Sequence, residues 1–121
     1  MKKYTKEHQW IELNADGTAK IGITRYAADE LGEVTYVELP AVGKTVQGND
    51  TLCAVESVKA ASDVFMPATG TVVDVNAPLD KDPSPINDDP EGAGWICLVK
   101  DVDAATVAEL MDETQYAEFC K

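Results

Sequence analysis

Over the first hundred positions the apolar residues come in short runs, each cut off by glycine, proline or an Asp/Asn turn, and this spacing constrains the fold more than any other feature. Runs so brief suit strands that bury one face, and they are too short for a helix with a continuous apolar stripe, so the chain reads as all-β. His8 to Leu13 and Thr18 to Ile23 flank Asn14-Ala15-Asp16-Gly17, where Asp-Gly marks a hairpin turn. Ile11 and Leu13 alternate on the first strand, and Ala19, Ile21 and Ile23 on its return. Thr24 is placed to cap a short helix through Leu31, with Gly32 as its left-handed stop. Val34-Thr35-Tyr36-Val37-Glu38-Leu39 alternates like a strand and ends at Pro40, which has no amide hydrogen to continue a ladder. Leu52 to Ser57 and Ala61 to Met66 bracket a tight turn at Val58-Lys59-Ala60. A further strand, Thr71 to Val75, follows Pro67-Ala68-Thr69-Gly70, and this stretch reads as a meander.

Between Asn76 and Gly94 stand Pro78, Pro83, Pro85, Pro90 and Gly92, so many breakers that a long ordered loop is expected. A strand from Trp95 to Lys100 comes next. Beyond it, Asp103 is positioned to cap Ala104 to Met111, and Asp112 with Gln115 forms a capping-box pattern for Glu113 to Phe119. These two readings compete within a helical tail over about residues 103–121. With 121 residues, 45% of them hydrophobic, a single domain over 1–121 is expected, with a core that needs neither disulfide nor metal.

The charge balance narrows the partners. Twenty-two acids against ten bases give a net charge of −12, which argues against nucleic acid and anionic membrane and leaves small ligands or basic proteins. Eleven of the acids lie between Asp80 and Glu118 against only Lys81 and Lys100, a steering face for basic docking sites. No apolar run approaches the roughly 18 residues of a spanning helix. The start, Met1-Lys2-Lys3-Tyr4-Thr5, has no signal-peptide core, so a cytoplasmic protein is expected.

Cys53, Cys97 and Cys120 are widely spaced and odd in number, which indicates neither a disulfide framework nor a zinc site. Cys53 and Cys97 sit in apolar runs where a thiol acts as a small hydrophobe. Cys120 has no base beside it in sequence and is a poor nucleophile candidate. His8, the single histidine, stands two places before Trp10 without a marked serine or cysteine partner, and a packed or surface role is expected. Asp88-Asp89 lacks EF-hand ligand spacing. The residue that stands out is Lys59, the only base between Lys44 and Lys81 in a stretch that holds Asp50, Glu56, Asp63, Asp74 and Asp80. At the tip of a tight turn, among Val58, Ala60 and Ala61, its amine projects where another enzyme can reach it.

Glu56-Ser57-Val58-Lys59-Ala60-Ala61-Ser62-Asp63 resembles the lipoyl-attachment segment of the glycine cleavage H proteins. The similarity runs nearly end to end: His8-Gln9-Trp10-Ile11, Gly22-Ile23-Thr24, Leu31-Gly32, Val37-Glu38-Leu39-Pro40 and Gly43 before the lysine, then Pro67, Gly70, Asn76, Leu79, Pro83, Asn87, Asp89-Pro90 and Gly94-Trp95 after it. The resemblance implies a barrel-sandwich hybrid of two small antiparallel sheets, with the lysine at a hairpin tip and short helices outside. It implies lipoate on Lys59, and recognition of Glu56, three residues before, and Gly70, eleven after, by the lipoate-attaching enzymes. Gly70 is expected to serve by allowing a backbone geometry that a side chain would obstruct.

The implied role is that of a carrier, not an enzyme. A dithiolane on a flexible tether is a strained disulfide, easily opened. By resemblance it accepts aminomethyl from glycine decarboxylase, presents it to the aminomethyltransferase, and is reoxidised by dihydrolipoamide dehydrogenase. The family's loaded arm rests in a cleft bordered by the loop and neighbouring strands; Asn87, Asp89 and Trp95 match the family in this region, and no arm contact is assigned to them. A monomer is expected. Two other functions stay open at this point: a relay passing lipoate or octanoate to other lipoyl domains, and a biotin carrier, although biotinyl domains usually place methionine on both sides of the lysine where Val58 and Ala60 stand here. Gln9 replaces a common glutamate and Glu91 a frequent aromatic, departures that bear on partner contacts rather than on attachment at Lys59.

Overall fold

A computed structural model describes residues Lys2–Cys120. Among the described residues nine strands form two antiparallel sheets. The larger contains β1 (Lys2–Tyr4), β2 (Gln9–Leu13), β3 (Ala19–Ile23), β5 (Thr45–Val46), β8 (Gly70–Val75) and β9 (Cys97–Lys100), in the order β1-β2-β3-β9-β8-β5. The smaller contains β4 (Val34–Glu38), β6 (Thr51–Ser57) and β7 (Ala61–Phe65), in the order β4-β6-β7. The all-β reading with short peripheral helices holds, as does the pair of small sheets.

The hairpin of β2 and β3 pairs Ile11 with Ile21 and Leu13 with Ala19, as the alternation requires. The central stretch is not a meander, however. After β3 the chain leaves the large sheet through α1 (Arg25–Leu31) for β4, returns at β5, builds the β6–β7 hairpin in the small sheet, and returns again at β8. The reason is burial. Val37, Val55 and Val64 on one sheet and Ile21, Val72 and Val99 on the other belong to one core cluster and are at most 1% exposed. Each sheet is the lid of the other, so the chain must cross between them to supply both. The short strands β1 and β5 carry too few residues to show a period in sequence.

A second cluster lies on the outer side of the large sheet. Trp10 points away from Ile11, and it is still buried because Tyr4 and Tyr116 of α4 (Glu113–Phe119) cover it. Its indole donates to the Pro90 carbonyl at 3.0 Å. Both helices expected in the tail form, one after the other in the chain. α3 (Ala104–Glu109) ends before Met111, whose backbone pairs instead with that of Tyr4. Asp112 accepts from Gln115 N at 2.8 Å while Gln115 Oε1 accepts from Asp112 N at 2.9 Å, completing the capping box of α4.

The stretch from Asn76 to Gly94 also departs from expectation. It holds a 3₁₀ turn at Ala77–Asp80 and the short helix α2 (Ser84–Asp88). Pro78 and Pro85 sit in the first turn of each, where an amide hydrogen has no helical partner to lose, so they start helices here instead of breaking them. Leu79 and Ile86, both fully buried, tie these turns to the core. The last strand begins at Cys97, two residues later than expected.

Candidate functional site

The β6–β7 hairpin places Lys59 at its tip, in the Val58-Lys59-Ala60 turn. Ser57 builds that turn: its amide and hydroxyl both donate to the Ala60 carbonyl, at 2.7 and 3.0 Å, and its hydroxyl accepts from Ala60 N at 3.1 Å. The amide of Val58 donates to the Glu33 carbonyl at 3.0 Å, which pins the tip to the loop after α1. The root of Lys59 is therefore fixed while its side chain is exposed. Among the described residues no carboxylate pairs with its amine. Its stem passes Gly32, where an added methyl would come to 3.4 Å from Lys59 Cε. Gly32 also carries the φ of 78° that ends α1, so the stop predicted from sequence has a second use as a bed for the lysine stem.

Glu56 is exposed on the outer face of the small sheet, opposite Tyr36 on one side and Ala61 on the other. Gly70 lies elsewhere. It is buried at the start of β8 in the large sheet, paired with Val46, and follows the end of the hairpin away from Lys59. Its backbone is not left-handed. What it provides is room: a methyl there would meet the Lys100 carbonyl at 3.2 Å, and Met66 Cε and Val99 Cβ at 3.5 Å.

Beside the hairpin is an apolar cleft of about 180 Å³, lined by Ile23, Ala27, Leu31, Val55 and Val64, with Glu7, Glu30 and Asp63 contributing carboxylates. Gln9 also lines it, buried, its amide donating to the Glu7 carbonyl at 2.8 Å and accepting from Thr5 Oγ1 at 2.9 Å. A larger open groove of about 800 Å³ runs between α1, β4 and α2. Asn87 borders it and clamps α2 to β4, accepting from Val34 N at 2.8 Å and donating to Val34 O at 3.1 Å. Asp89 accepts from Ala93 N at 3.0 Å, and Trp95 packs on the Tyr4–Trp10–Tyr116 cluster; neither lines the small cleft. Glu91 closes the loop over the N-terminus, accepting from Arg25 N at 2.8 Å and from the Tyr4 hydroxyl at 3.3 Å.

His8 belongs to a network that the sequence did not display. With φ at 68°, its Nδ1 stands 2.6 Å from the Tyr116 hydroxyl, which is 2.7 Å from Thr24 Oγ1. Its ring stacks on Tyr26 at 4.4 Å between centroids. Thr24 thus caps α1 through Ala27 N and joins α4 to the cleft wall. Burial holds the His8 imidazole below its ordinary value of 6.5, against the opposing pull of Glu7 and Glu30. The neutral ring is the one the fold favours, so its contribution to stability is present above 6.5 and is lost as the pH falls through its lowered folded-state value. Urea unfolding at about pH 7.5 and about pH 5.5 is expected to show lower stability at the acid end, and His8→Gln is expected to remove most of that slope. An equal slope in the variant would assign the loss to other groups.

Cys53 and Cys97 are buried among apolar residues as expected, and burial raises the Cys53 thiol well above the ordinary range and takes Cys97 to about 12. Among the described residues no group of His, Cys, Asp or Glu is arranged to hold a metal ion, and no helix is long and apolar enough to cross a membrane.

Comparison with known proteins agrees with this geometry. The chain is 47% identical to the glycine cleavage system H protein of Thermotoga maritima over 120 residues, covering 99% of this chain and 96% of that one. It is likewise 47% identical to the corresponding protein of Marinobacter nauticus over 116 residues, covering 96% and 89% respectively. The crystal structure of a glycine cleavage system H protein from Mycobacterium marinum superposes with a TM-score of 0.86 at 38% identity, covering 97% of this chain and 94% of the other. With the glycine cleavage H-protein family model matching residues 2–121, a fixed hairpin carrying an exposed lysine is set in a fold and sequence shared from end to end, and the chain belongs to that family.

Proposed function

We propose that the chain is a cytoplasmic carrier that takes an aminomethyl group from glycine decarboxylase to the aminomethyltransferase, and reducing equivalents to dihydrolipoamide dehydrogenase, by way of lipoate on Lys59. The observation that carries this reading is the lysine itself: an exposed amine, unpaired among the described residues, on a turn fixed by Ser57 and by the Val58–Glu33 bond. A rigid root confines the search to the tether, which raises the local concentration of the cargo at a partner's active site.

The residues present fit such a group. The small cleft adjoins β7, which leads away from the tip, and its Ile23, Leu31, Val55 and Val64 walls suit an eight-carbon acyl chain. Glu7, Glu30 and Asp63 offer negative charge to a cationic amine at the end of that chain. When attached, the group supplies reversible disulfide–thiol chemistry; the protein supplies the fixed root, the apolar rest site and exclusion of water from it. Glu56, exposed beside the hairpin tip, and Gly70, packed against β9, are read as the features that lipoate-attaching enzymes require.

Intact mass of the chain, produced together with its own lipoylation enzymes, is the direct test. A single lipoyl increment located on Lys59, and glycine-dependent NAD reduction on addition of the three enzymes, are the expected results. A biotin increment, or transfer of labelled octanoate to 2-oxoacid dehydrogenases without glycine turnover, would replace the reading with one of its alternatives.

A further inference from the structure

The outer face of the small sheet carries a surface that the fold itself does not use. In β4 the pairing register shifts between Val34, opposite Ser57, and Tyr36, opposite Glu56. The extra residue, Thr35, lets two consecutive side chains face solvent while Val34 and Val37 both face the core. Without the shift, strict alternation would turn Tyr36 inward. Instead the residue is 44% exposed on the edge strand, directly across from Glu56. The next row of the same face is Glu38–Ala54–Asp63. An aromatic ring and two small alanines, Ala54 and Ala61, are thus framed by three carboxylates, and the adjoining tip adds Val58, 69% exposed.

We propose that this face is the docking surface of the enzyme that acylates Lys59, and that the partner meets it with a cationic surface and an apolar slot for Tyr36. The inference rests on the reading of Lys59 as the attachment site. A bare lysine enters an active site only to the length of its own stem, so an enzyme acting on it must cover the protein around the tip. Enzymes that meet the far end of the completed arm stand further off. Cross-strand neighbours on one face lie about 5 Å apart, which places Tyr36 beside Glu56 and inside that footprint. An aromatic anchor ringed by charge is the pattern of residues that dominate binding energy, and the carboxylates steer a basic partner onto it. The step served is aminolysis of an activated acyl group such as an acyl adenylate. The Lys59 nitrogen attacks the carbonyl carbon, a C–N bond forms, the bond to the adenylate oxygen breaks, and AMP and the nitrogen's proton leave.

The test measures acylation of the unmodified chain by a lipoate–protein ligase supplied with ATP and octanoate, followed by intact mass. Tyr36→Ser is expected to lower kcat/KM roughly tenfold or more, mainly through KM. Glu38→Gln, a change at an exposed residue that preserves shape and lies outside the small cleft, is expected to lower it severalfold at low salt and much less at about 0.5 M salt. Thermal melts confirm that both variants fold. Wild-type kinetics in both variants, with Lys59 acylated normally, overturn the docking inference alone. A wild-type chain that takes no octanoate at Lys59 overturns the underlying assignment. A wild-type dimer dissociated by Tyr36→Ser would give the face to a second copy of the chain and overturn the inference as well.

Discussion

Lys59→Arg is expected to fold as the wild type does, take up no lipoate, and support no measurable glycine cleavage. The substitution keeps the positive charge and most of the stem that lies along Gly32, so the turn, held by Ser57 and by the Glu33 carbonyl, loses nothing. Changes at such exposed positions usually stay within about 0.5 kcal/mol. The guanidinium, however, is always protonated and is not acylated by enzymes that modify an amine. Since no other group of the described residues forms a candidate centre, the expected loss is complete rather than graded. Circular dichroism, intact mass and the reconstituted glycine assay separate the two halves of this expectation. Residual glycine turnover by the folded, unmodified variant would refute the carrier reading.

The largest expected effect on stability lies away from the lysine, at Gly94. A methyl group there would stand 2.6 Å from the Pro85 carbonyl oxygen, 2.8 Å from Ile86 Cα and 2.9 Å from the Asp89 carbonyl oxygen. All three are backbone atoms of α2 and the turn that follows it, so no side chain can rotate to relieve the contact. Gly94→Ala is expected to cost about 3 kcal/mol, the upper part of the range for overpacking. That corresponds to a fall of roughly 12 °C in melting temperature. Displacing α2 would also strain the two Asn87–Val34 hydrogen bonds that bind it to β4. A Gly94→Ala protein that melts with the wild type would show that α2 moves freely against the loop.

What was legible in the sequence was whatever is specified locally. The Asp-Gly hairpin, the Thr24 cap, the Gly32 stop and the Asp112–Gln115 box each depend on residues a few positions apart, and each forms where expected. Lys59 at a hairpin tip was legible for the same reason, although its chemistry came only from family resemblance. What stayed hidden depends on distant partners. The alternation of the chain between two sheets follows from the need of each apolar face for the other. The extra residue at Thr35 is visible only against Glu56 and Ser57, so nothing in β4 read alone reveals that Tyr36 faces outward. The prolines near 78 and 85 were misread because their effect depends on position within a turn, and position is set by the anchors Leu79 and Ile86. His8 gained its partner from Tyr116, more than a hundred residues away.

The burial of Cys53 and Cys97 acquires a meaning beyond packing once cargo rides on sulfur. A thiol with a value of about 12, as at Cys97, is thiolate in only about one molecule in 10⁵ at neutral pH, and only the thiolate attacks a disulfide. With lipoate on Lys59 as proposed, the core sulfur would be chemically deaf to that appendage, and the strained ring could not short-circuit into Cys53 or Cys97.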